Sequence, residues 1–467
     1  MVKAVVGDEA QIKAFEETLS SSSPEVQVGL VVGKLSASSD RALVYSLLPT
    51  PPTDADAPAC SLLRAAPKSK TTKGKGSQVA SLDFDVDWIA EHARQVSRML
   101  LGGMSVIGIY FWASEASFKA TSPAVLSQVI RAVSNACYGS SFGDRMLIHI
   151  SYSPRRWACR ICDIASGSLR PCDFKHSKLL ASLQTFKCTY NFDIRLTVVQ
   201  AEPFKKIILR AINHLTEEVQ TARALIDRNI FSEDVNISTE GPHGVDFLVP
   251  FKNAVPVEEC SLEGVAGLIR FTGSVSALAY LGQKESISEV ISDLKVDIIR
   301  SLRSRLDIIL DEDDDYPTGN DLDKQSPQKA TQIKFCELRE PFSFSFPRRV
   351  LIPWIAGAYV CDYLQQTETP EDAMERCKEV ISLETSVERS SVLEPENAEV
   401  SATLESFWDI VPGAASRAPA RSSMVDTQND GSSRTQRSNL NMVAALLALV
   451  IAVIVGFLIT FSASWNT

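Results

Sequence analysis

A run of apolar residues near the end of the chain constrains its architecture most. Residues 442–461 carry no charge, and Thr460 is their one polar side chain. At ~1.5 Å per helical residue, these twenty residues span ~30 Å, the thickness of the hydrocarbon core of a bilayer. Six residues, 462–467, follow the run and offer little to bury it in protein. The pattern therefore predicts one C-terminal transmembrane helix that anchors a large N-terminal body.

The charges beside this predicted anchor indicate its orientation. Arg434 and Arg437 precede it, and no Lys or Arg follows. Positive charge is retained on the cytosolic side, so we expect a cytosolic body and a luminal tail at 462–467. Small residues at every fourth position would let another helix pack closely, although alanine is common in any such span. This stripe comprises Ala444, Ala448, Ala452 and Gly456. The predicted membrane-anchoring residues include Met442, Leu446, Val450, Ile454 and Phe461.

The composition of the remainder is typical of a globular body with a substantial core. Of 467 residues, 45% are hydrophobic and 22% are charged, which fits two or three domains. The net charge of −10 argues against a nucleic-acid-binding protein. A cytosolic body would keep its ten cysteines reduced.

The hydrophobic periodicity predicts a mixed α/β, or α+β, fold. We expect an α/β domain at 1–230, with a disordered Pro- and Lys-rich insertion at 49–80, and a strand at Arg195–Gln200 that continues its sheet. A second α+β region is expected at 231–381. Its long helix, 285–310, should fray at the acidic residues 311–315, because negative charge opposes the helix dipole there. An acidic, disordered tether is expected at 382–441.

Several shorter elements are also predicted from caps and periodicity. The segment Asp85–Leu101 has one apolar face and should form a helix that ends at Gly102-Gly103. Further helices are expected to begin at Ser122-Pro123 and at Thr369-Pro370, and one is expected over Phe204–Ile226.

One cluster has the residue types of a zinc site. Cys159, Cys162, Cys172 and His176 follow the spacing Cys-x2-Cys-x9-Cys-x3-His. The segment alternates like a β-strand, however, and residues three apart in a strand point to opposite faces. We therefore expect buried thiols rather than a metal or redox site, and we predict no cofactor. A membrane-tethered hydrolase or zinc protein using these residues is the alternative.

Three segments give the chain a family resemblance. They are Phe346-Pro347-Arg348-Arg349-Val350, then Val360-Cys361-Asp362-Tyr363, and the helical stretch from Asp297 to Leu306. Together with the predicted anchor, they resemble the odorant response abnormal protein 4 family. The resemblance implies a non-enzymatic, tail-anchored adaptor of the endoplasmic reticulum membrane. It also implies two kinds of partner, a cytosolic protease specific for the ubiquitin-fold modifier and multi-pass membrane proteins as trafficking clients.

A second resemblance concerns the fold of the N-terminal region. Gly29–Lys34 looks like the opening hairpin of an MPN domain, and Gly108-Ile109-Tyr110 looks like the strand that leads into the zinc ligands of its metalloprotease members. Those members hold zinc with two histidines and an aspartate; here the histidine positions would fall on Phe111 and Ala113, and the later Ser and Asp positions on Thr121 and Ala124. Side chains of these types do not hold zinc. The resemblance thus implies an inactive MPN-like domain that serves as a scaffold.

Overall fold

The computed structural model describes most of the N-terminal body. The described residues are 4–22, 24–36, 40–53, 55–63, 80–137, 143–199, 202–230, 241–250, 265–282, 285–315, 342–383 and 388–406. Residues 1–412 form one compact unit, and the second unit, 413–467, lies outside the described residues. All of the described helices and strands belong to the first unit.

The described part of the chain has a mixed α+β structure, in which runs of consecutive strands are interrupted by helices. The helices are α1 Glu9–Ser22, α2 Val86–Met99, α3 Glu115–Ala120, α4 Pro123–Ala136, α5 Phe204–Thr221, α6 Ile287–Asp315 and α7 Pro370–Ile381. The strands are β1 Ala4–Asp8, β2 Gln27–Ser36, β3 Arg41–Pro49, β4 Cys60–Leu63, β5 Ser81–Phe84, β6 Ser105–Trp112, β7 Asp144–Tyr152, β8 Arg155–Asp163, β9 Leu169–Cys172, β10 Phe174–Ser177, β11 Gln184–Val199, β12 Arg223–Ile226, β13 Asn229–Ile230, β14 His243–Leu248, β15 Val265–Leu281, β16 Phe342–Ser345, β17 Arg348–Pro353, β18 Tyr359–Leu364 and β19 Ser401–Ser406.

The first sheet has eight strands in the order β10-β1-β3-β2-β6-β7-β8-β9. Its central strand β6 is almost wholly apolar, as expected for a strand with both faces covered, by residues of α1 on one side and of α2 and α4 on the other. The strands at the two ends of the sheet, β9 and β10, are separated by Asp173 alone. The consecutive strands β9 and β10 therefore form the two opposite edges of the sheet, and the sheet is curled so that these edges lie close together.

The predicted helix starts are confirmed by their caps. The side chain of Asp85 accepts a hydrogen bond from the backbone N of Trp88 at 3.0 Å. Ser122 caps α4, with Pro123 in its first turn. Thr369 and Asp372 form a reciprocal capping box at the start of α7. Each cap satisfies backbone N–H groups that would otherwise lack partners, which is why these sequence signals were reliable.

The second sheet has seven strands in the order β13-β12-β14-β11-β15-β19-β16. The two long strands β11 and β15 pair antiparallel from Gln184 opposite Leu281 to Val199 opposite Val265. Helices α5 and α6 pack on this sheet. The apolar stripe of α6 is fully buried there and consists of Val290, Leu294, Ile298, Leu302, Leu306 and Ile309.

Two glycines allow the two sheets to approach each other. Gly102 and Gly103 form the turn that follows α2, with φ of +54° and +84°, a conformation that favours glycine. Helix α2 itself ends at Met99, before the predicted end at Leu101, because Leu100 is already extended. A Cβ atom on Gly102 would lie 2.4 Å from the Cα of Ala279 in β15. A Cβ atom on Gly103 would lie 2.4 Å from a carboxylate oxygen of Asp293 in α6. The glycine pair therefore forms the turn after the helix and also makes room for the second sheet.

A buried ion cluster stabilises the same junction. Lys34 of β2 is 4% exposed, and its Nζ lies 2.7 Å from Asp293 Oδ2 and 3.1 Å from Glu285 Oε1. Burial raises the pKa of Asp293, and Lys34 opposes that rise. One ammonium group thus faces two carboxylates of the segment that begins α6, and it links the first sheet to that helix.

Two expectations for the middle of the chain were wrong. Arg195–Gln200 was expected to continue the first sheet, but residues through Val199 belong to β11, which opens the second sheet. The helix predicted over Phe204–Ile226 ends at Thr221, and Arg223–Ile226 form β12. The alternating side chains of the long strand β11 bury a full second face, so it requires its own sheet and helices. The division at residue 230 itself stays a prediction.

Two further expectations, on the insertion at 49–80 and on the end of the long helix, also need correction. Within the predicted insertion 49–80, Cys60–Leu63 form β4 and pair with β5, while residues 64–79 lie outside the described residues. Helix α6 continues through the acidic run to Asp315 rather than fraying at 311. Asp311 accepts hydrogen bonds from Arg94 and Arg98 of α2, and these cations offset the unfavourable dipole.

The predicted tether, 382–441, begins too early. Residues 388–406 are described, and they include β19, which pairs with β15 and β16 in the second sheet. Val400, Ala402 and Leu404 alternate with polar residues and are buried, the period-two pattern of a half-buried strand. The abundance of Glu and Ser had masked this pattern.

The predicted anchor, 442–461, lies outside the described residues, as do all of its named positions and the stripe from Ala444 to Gly456. Within the described ranges, no helix combines the length and apolar character needed to span a membrane. The anchor stays a prediction.

Candidate functional site

The residues that carry the family resemblance meet in the core. Arg349 of β17 is fully buried, and its Nη2 donates to Asp297 Oδ1 of α6 at 2.9 Å. Its Nη1 donates to Asp297 Oδ2 at 3.0 Å and to the carbonyl of Ser276 at 2.9 Å. This two-pronged contact between guanidinium and carboxylate is the strongest geometry for such a pair. Two signature segments that lie far apart in the sequence are thus joined by one buried ion pair.

A second buried arginine extends the network. Arg305 donates to the carbonyl of Pro347 at 3.1 Å, and it forms an ion pair with Glu396. Glu396 lies in the stretch assigned to the tether, yet its carboxylate is 8% exposed. It also accepts from the backbone N of Arg349 at 3.3 Å. The acidic stretch therefore supplies a structural partner to the core.

The third signature segment completes this network. Arg349 Nη2 lies 3.4 Å from Cys361 Sγ. Both guanidinium groups lie over the ring of Tyr363, at 5.6 Å for Arg305 and 6.0 Å for Arg349. Burial acts to lower the pKa of Arg349, but Asp297 overrides it and the pKa is raised, so this cation stays charged. Burial raises the pKa of Cys361, which keeps this thiol protonated and unreactive. The arrangement stabilises packing and has no solvent-exposed reacting group.

The four positions that match the motif of MPN metalloproteases hold no histidine or carboxylate in this chain. Phe111 and Ala113 are 0% exposed, and the Phe111 ring packs 5.0 Å from Phe84. Thr121 is buried and donates to the carbonyl of Ser117 at 2.9 Å, while Ala124 lies in the first turn of α4. Apolar packing thus occupies the two histidine positions, whereas Thr121 is held by a hydrogen bond and Ala124 is exposed.

The cysteine and histidine cluster does not converge. Cys159 packs in the core that contains α1, whereas Cys162 packs in the core that contains α2 and α4, so they lie on opposite faces of β8. Cys172 is directly opposite Cys159 in β9, and the exposed His176 lies in β10. Burial raises the pKa of Cys159 to about 12 and also raises the pKa values of Cys162 and Cys172. Among the described residues, no three His, Cys, Asp or Glu side chains are arranged to hold a metal ion.

His92 is a buried histidine that joins three parts of the first sheet's core. Its Nε2 lies 2.8 Å from the carbonyl of Val380 at the end of α7, and its Nδ1 lies 3.2 Å from Thr50 Oγ1. Since the carbonyl only accepts, Nε2 carries the proton and donates. Burial lowers the pKa of His92 to about 4, from 6.5. The ring is therefore neutral at physiological pH and acts as a structural link.

We expect His92 to make the stability of the body depend on pH. The pKa of the folded state, about 4, lies below 6.5, so the contribution is present above pH 6.5 and is lost as the pH falls towards 4. At ~1.4 kcal/mol per pKa unit, the loss is about 3 kcal/mol. Urea unfolding of the wild type and of His92→Gln between pH 7 and pH 4 measures it. In His92→Gln, the free energy of unfolding should fall less between pH 7 and pH 4 than in the wild type. A matched change of the more exposed His214, His214→Gln, should keep the wild-type dependence on pH. Equal pH dependence in all three proteins would contradict the assignment.

The body is thus an α+β scaffold whose most distinctive polar residues are buried in structural roles. The profile of the Odorant response abnormal 4-like family matches residues 29–392, and the protein belongs to this family. Relatives named Protein odr-4 homolog from Mus musculus and Homo sapiens are 22% and 23% identical to this chain, and each match covers 79% of this chain and 81% of the relative. The relative of the same name from Dictyostelium discoideum is 22% identical, over 81% of this chain and 80% of its own length.

Among solved structures, the crystal structure of UfSP from C. elegans matches 82% of this chain and 57% of its own chain. The sequence identity is 8% and the TM-score is 0.36, so this likeness carries no argument about function.

Proposed function

We propose that this protein is a non-enzymatic, membrane-anchored adaptor that recruits or stabilises a cytosolic partner at the endoplasmic reticulum. Membership of the Odorant response abnormal 4-like family over residues 29–392 supports an accessory role. The observation that carries the non-enzymatic part is the burial of Phe111 and Ala113, both 0% exposed, where an MPN metalloprotease would present zinc ligands. On this proposal, the first sheet and its helices are an MPN-like scaffold.

The membrane part of the proposal rests on the sequence of residues 442–461, which is long and apolar enough to cross a bilayer. The partner part rests on the family resemblance. On the basis of this resemblance, the recruited protein is the protease specific for the ubiquitin-fold modifier, and multi-pass membrane proteins are the clients. An anchored adaptor raises the effective concentration of its partner at the membrane without any catalytic step of its own.

Fractionation of cells that express the full chain tests this proposal. The full chain should stay in the membrane pellet after carbonate washing, and added protease should digest its body in sealed microsomes. The partner protease should follow it into the pellet. A matched variant that ends at residue 441 should leave both proteins in the supernatant. Release of the full chain by carbonate would overturn the anchor, and a partner distributed equally with both chains would overturn recruitment.

A further inference from the structure

A groove with a volume of about 510 Å³ runs along the outer side of α6, beside the C-terminal half of α5. It extends from Ser288 to Arg303 of α6, with Thr216 and Gln220 of α5 on its other side. Fifteen residue steps of helix correspond to ~22 Å, or about four turns. The groove is thus long enough to hold a helix alongside α5 and α6.

The floor of this groove is apolar. Val296 is 47% exposed, one of the more exposed large hydrophobic residues among those described. Ile291 and Ile299 lie half-buried on either side of it. Val296 and Ile299 are three residues apart and neighbour each other on the side of α6 that lines the groove, with Ile291 nearer its N-terminal end and the polar Ser288, Ser292 and Lys295 among them. An exposed apolar side chain beside half-buried ones, flanked by polar residues, indicates an interaction surface.

The rim of the groove is cationic. Lys295 donates to the carbonyls of Gln220 at 3.0 Å and of Ala222 at 2.7 Å. Arg300 donates to the carbonyls of Leu100 at 3.3 Å and of Met104 at 3.2 Å. Burial alone lowers the pKa of Lys295, as expected for an ammonium group with no carboxylate beside it.

The cations of this rim have no carboxylate partner among the residues that the structure describes. Arg303 adds a third cation, and none of the described residues that line the groove is acidic. Arg349 and Arg305, by contrast, pair with carboxylates. A positive groove on a chain with a net charge of −10 attracts a segment of opposite sign.

We propose that this groove docks an acidic amphipathic helix of a partner protein. The partner's apolar side chains, spaced i, i+3, i+4 and i+7, would pack on Val296 and Ile299, and its carboxylates would face Lys295, Arg300 and Arg303. The inference rests on the proposed adaptor function, and it deepens that function by giving the recruited partner a docking segment of defined chemistry.

A designed peptide tests the groove directly. The probe is a fluorescent helical peptide of about 18 residues, ~27 Å long, with leucines on one face and glutamates flanking them. The control peptide has lysine in place of every glutamate. Fluorescence anisotropy with the full chain in neutral detergent should show that the acidic peptide binds at least about tenfold more tightly, and that added salt weakens its binding. Equal binding of the two peptides, or no binding of the acidic one, would overturn the proposal.

Matched valine variants locate the binding. Val296→Glu should weaken binding of the acidic peptide about tenfold or more, because it places a like charge on the apolar floor. Val199→Glu changes a valine that is 46% exposed on β11, outside the groove, and should leave binding unchanged. Both variants should keep the wild-type thermal midpoint. If the two variants weaken binding equally, the site is not this groove.

Two further measurements separate this inference from other outcomes. Phosphatidylserine vesicles that bind the full chain in a Val296-dependent way would assign the groove to lipid and overturn the helix proposal. In the fractionation experiment, a Val296→Glu chain that still brings the partner to the pellet would overturn the groove but leave the adaptor function intact. Loss of the wild-type chain from the membrane would instead overturn the proposed function.

Discussion

Replacing Arg349 with methionine is expected to lower the free energy of unfolding by about 3–5 kcal/mol. The change leaves the Asp297 carboxylate, which is 1% exposed, without its cationic partner in the core. The desolvation cost of an unpaired buried charge far exceeds the net value of the ion pair itself, so removing one partner is much worse than removing both. Urea unfolding of the full chain in detergent measures the loss.

Two matched variants test the physical reason. The double variant Arg349→Met with Asp297→Asn should recover most of the stability, because the neutral amide keeps a polar partner for the backbone N of Leu278, now 3.3 Å from Asp297 Oδ2. Arg270→Met removes an exposed pair with Asp193, whose atoms are 2.7 Å apart, and should change stability little. A single variant no less stable than the double variant would show that Asp297 does not depend on Arg349.

Replacing Lys34 with methionine should have an effect of similar size, about 3–5 kcal/mol, and one that depends on pH. The change leaves Glu285 and Asp293 buried together with no ammonium group between them. Burial already raises the pKa of Asp293, and Lys34 limits that rise. The variant should raise this pKa further, since its main opposing influence is gone.

The direction of the pH dependence follows from that shift. For a carboxyl group whose folded pKa is raised above 3.8, stability is highest at acid pH and falls as the pH rises through the interval between the two values. The deficit of Lys34→Met relative to the wild type should therefore shrink as the pH falls from 7 towards 4. Removing one of the two carboxylates with Asp293→Asn in the same chain should reduce the deficit at pH 7, and a deficit that stays constant with pH would refute the link to Asp293.

The helices of the body were predictable because their signals are local. Asp85, Ser122-Pro123 and Thr369-Pro370 each combine a capping side chain with an apolar face, and each begins a helix at the expected place. The opposite-face argument for Cys159 and Cys162 also held, since it needs only the two-residue period of a strand. Local periodicity was enough in these cases.

The errors lay where distant residues decide the structure. The acidic end of α6 is held by Arg94 and Arg98, more than two hundred residues earlier in the sequence. β19 was missed because its polar neighbours suggested a tether, although Val400, Ala402 and Leu404 alternate as a strand requires. The partners of the candidate core network, Glu396 and Asp297, gave no local sign that they would meet Arg305 and Arg349. The family signature contained Asp297, Arg305 and Arg349 without revealing how they pair, and Glu396 lay outside it.

The two edge strands of the first sheet affect how copies of this protein behave at high local concentration. Its terminal strands β9 and β10 have four residues each, and they carry Arg170 and Pro171 on one and Lys175 on the other. Short outer strands with cations and proline are poor templates for adding a foreign strand, since proline lacks an N–H donor and like charges repel. Copies of this protein at high local density would therefore resist edge-to-edge aggregation through this sheet.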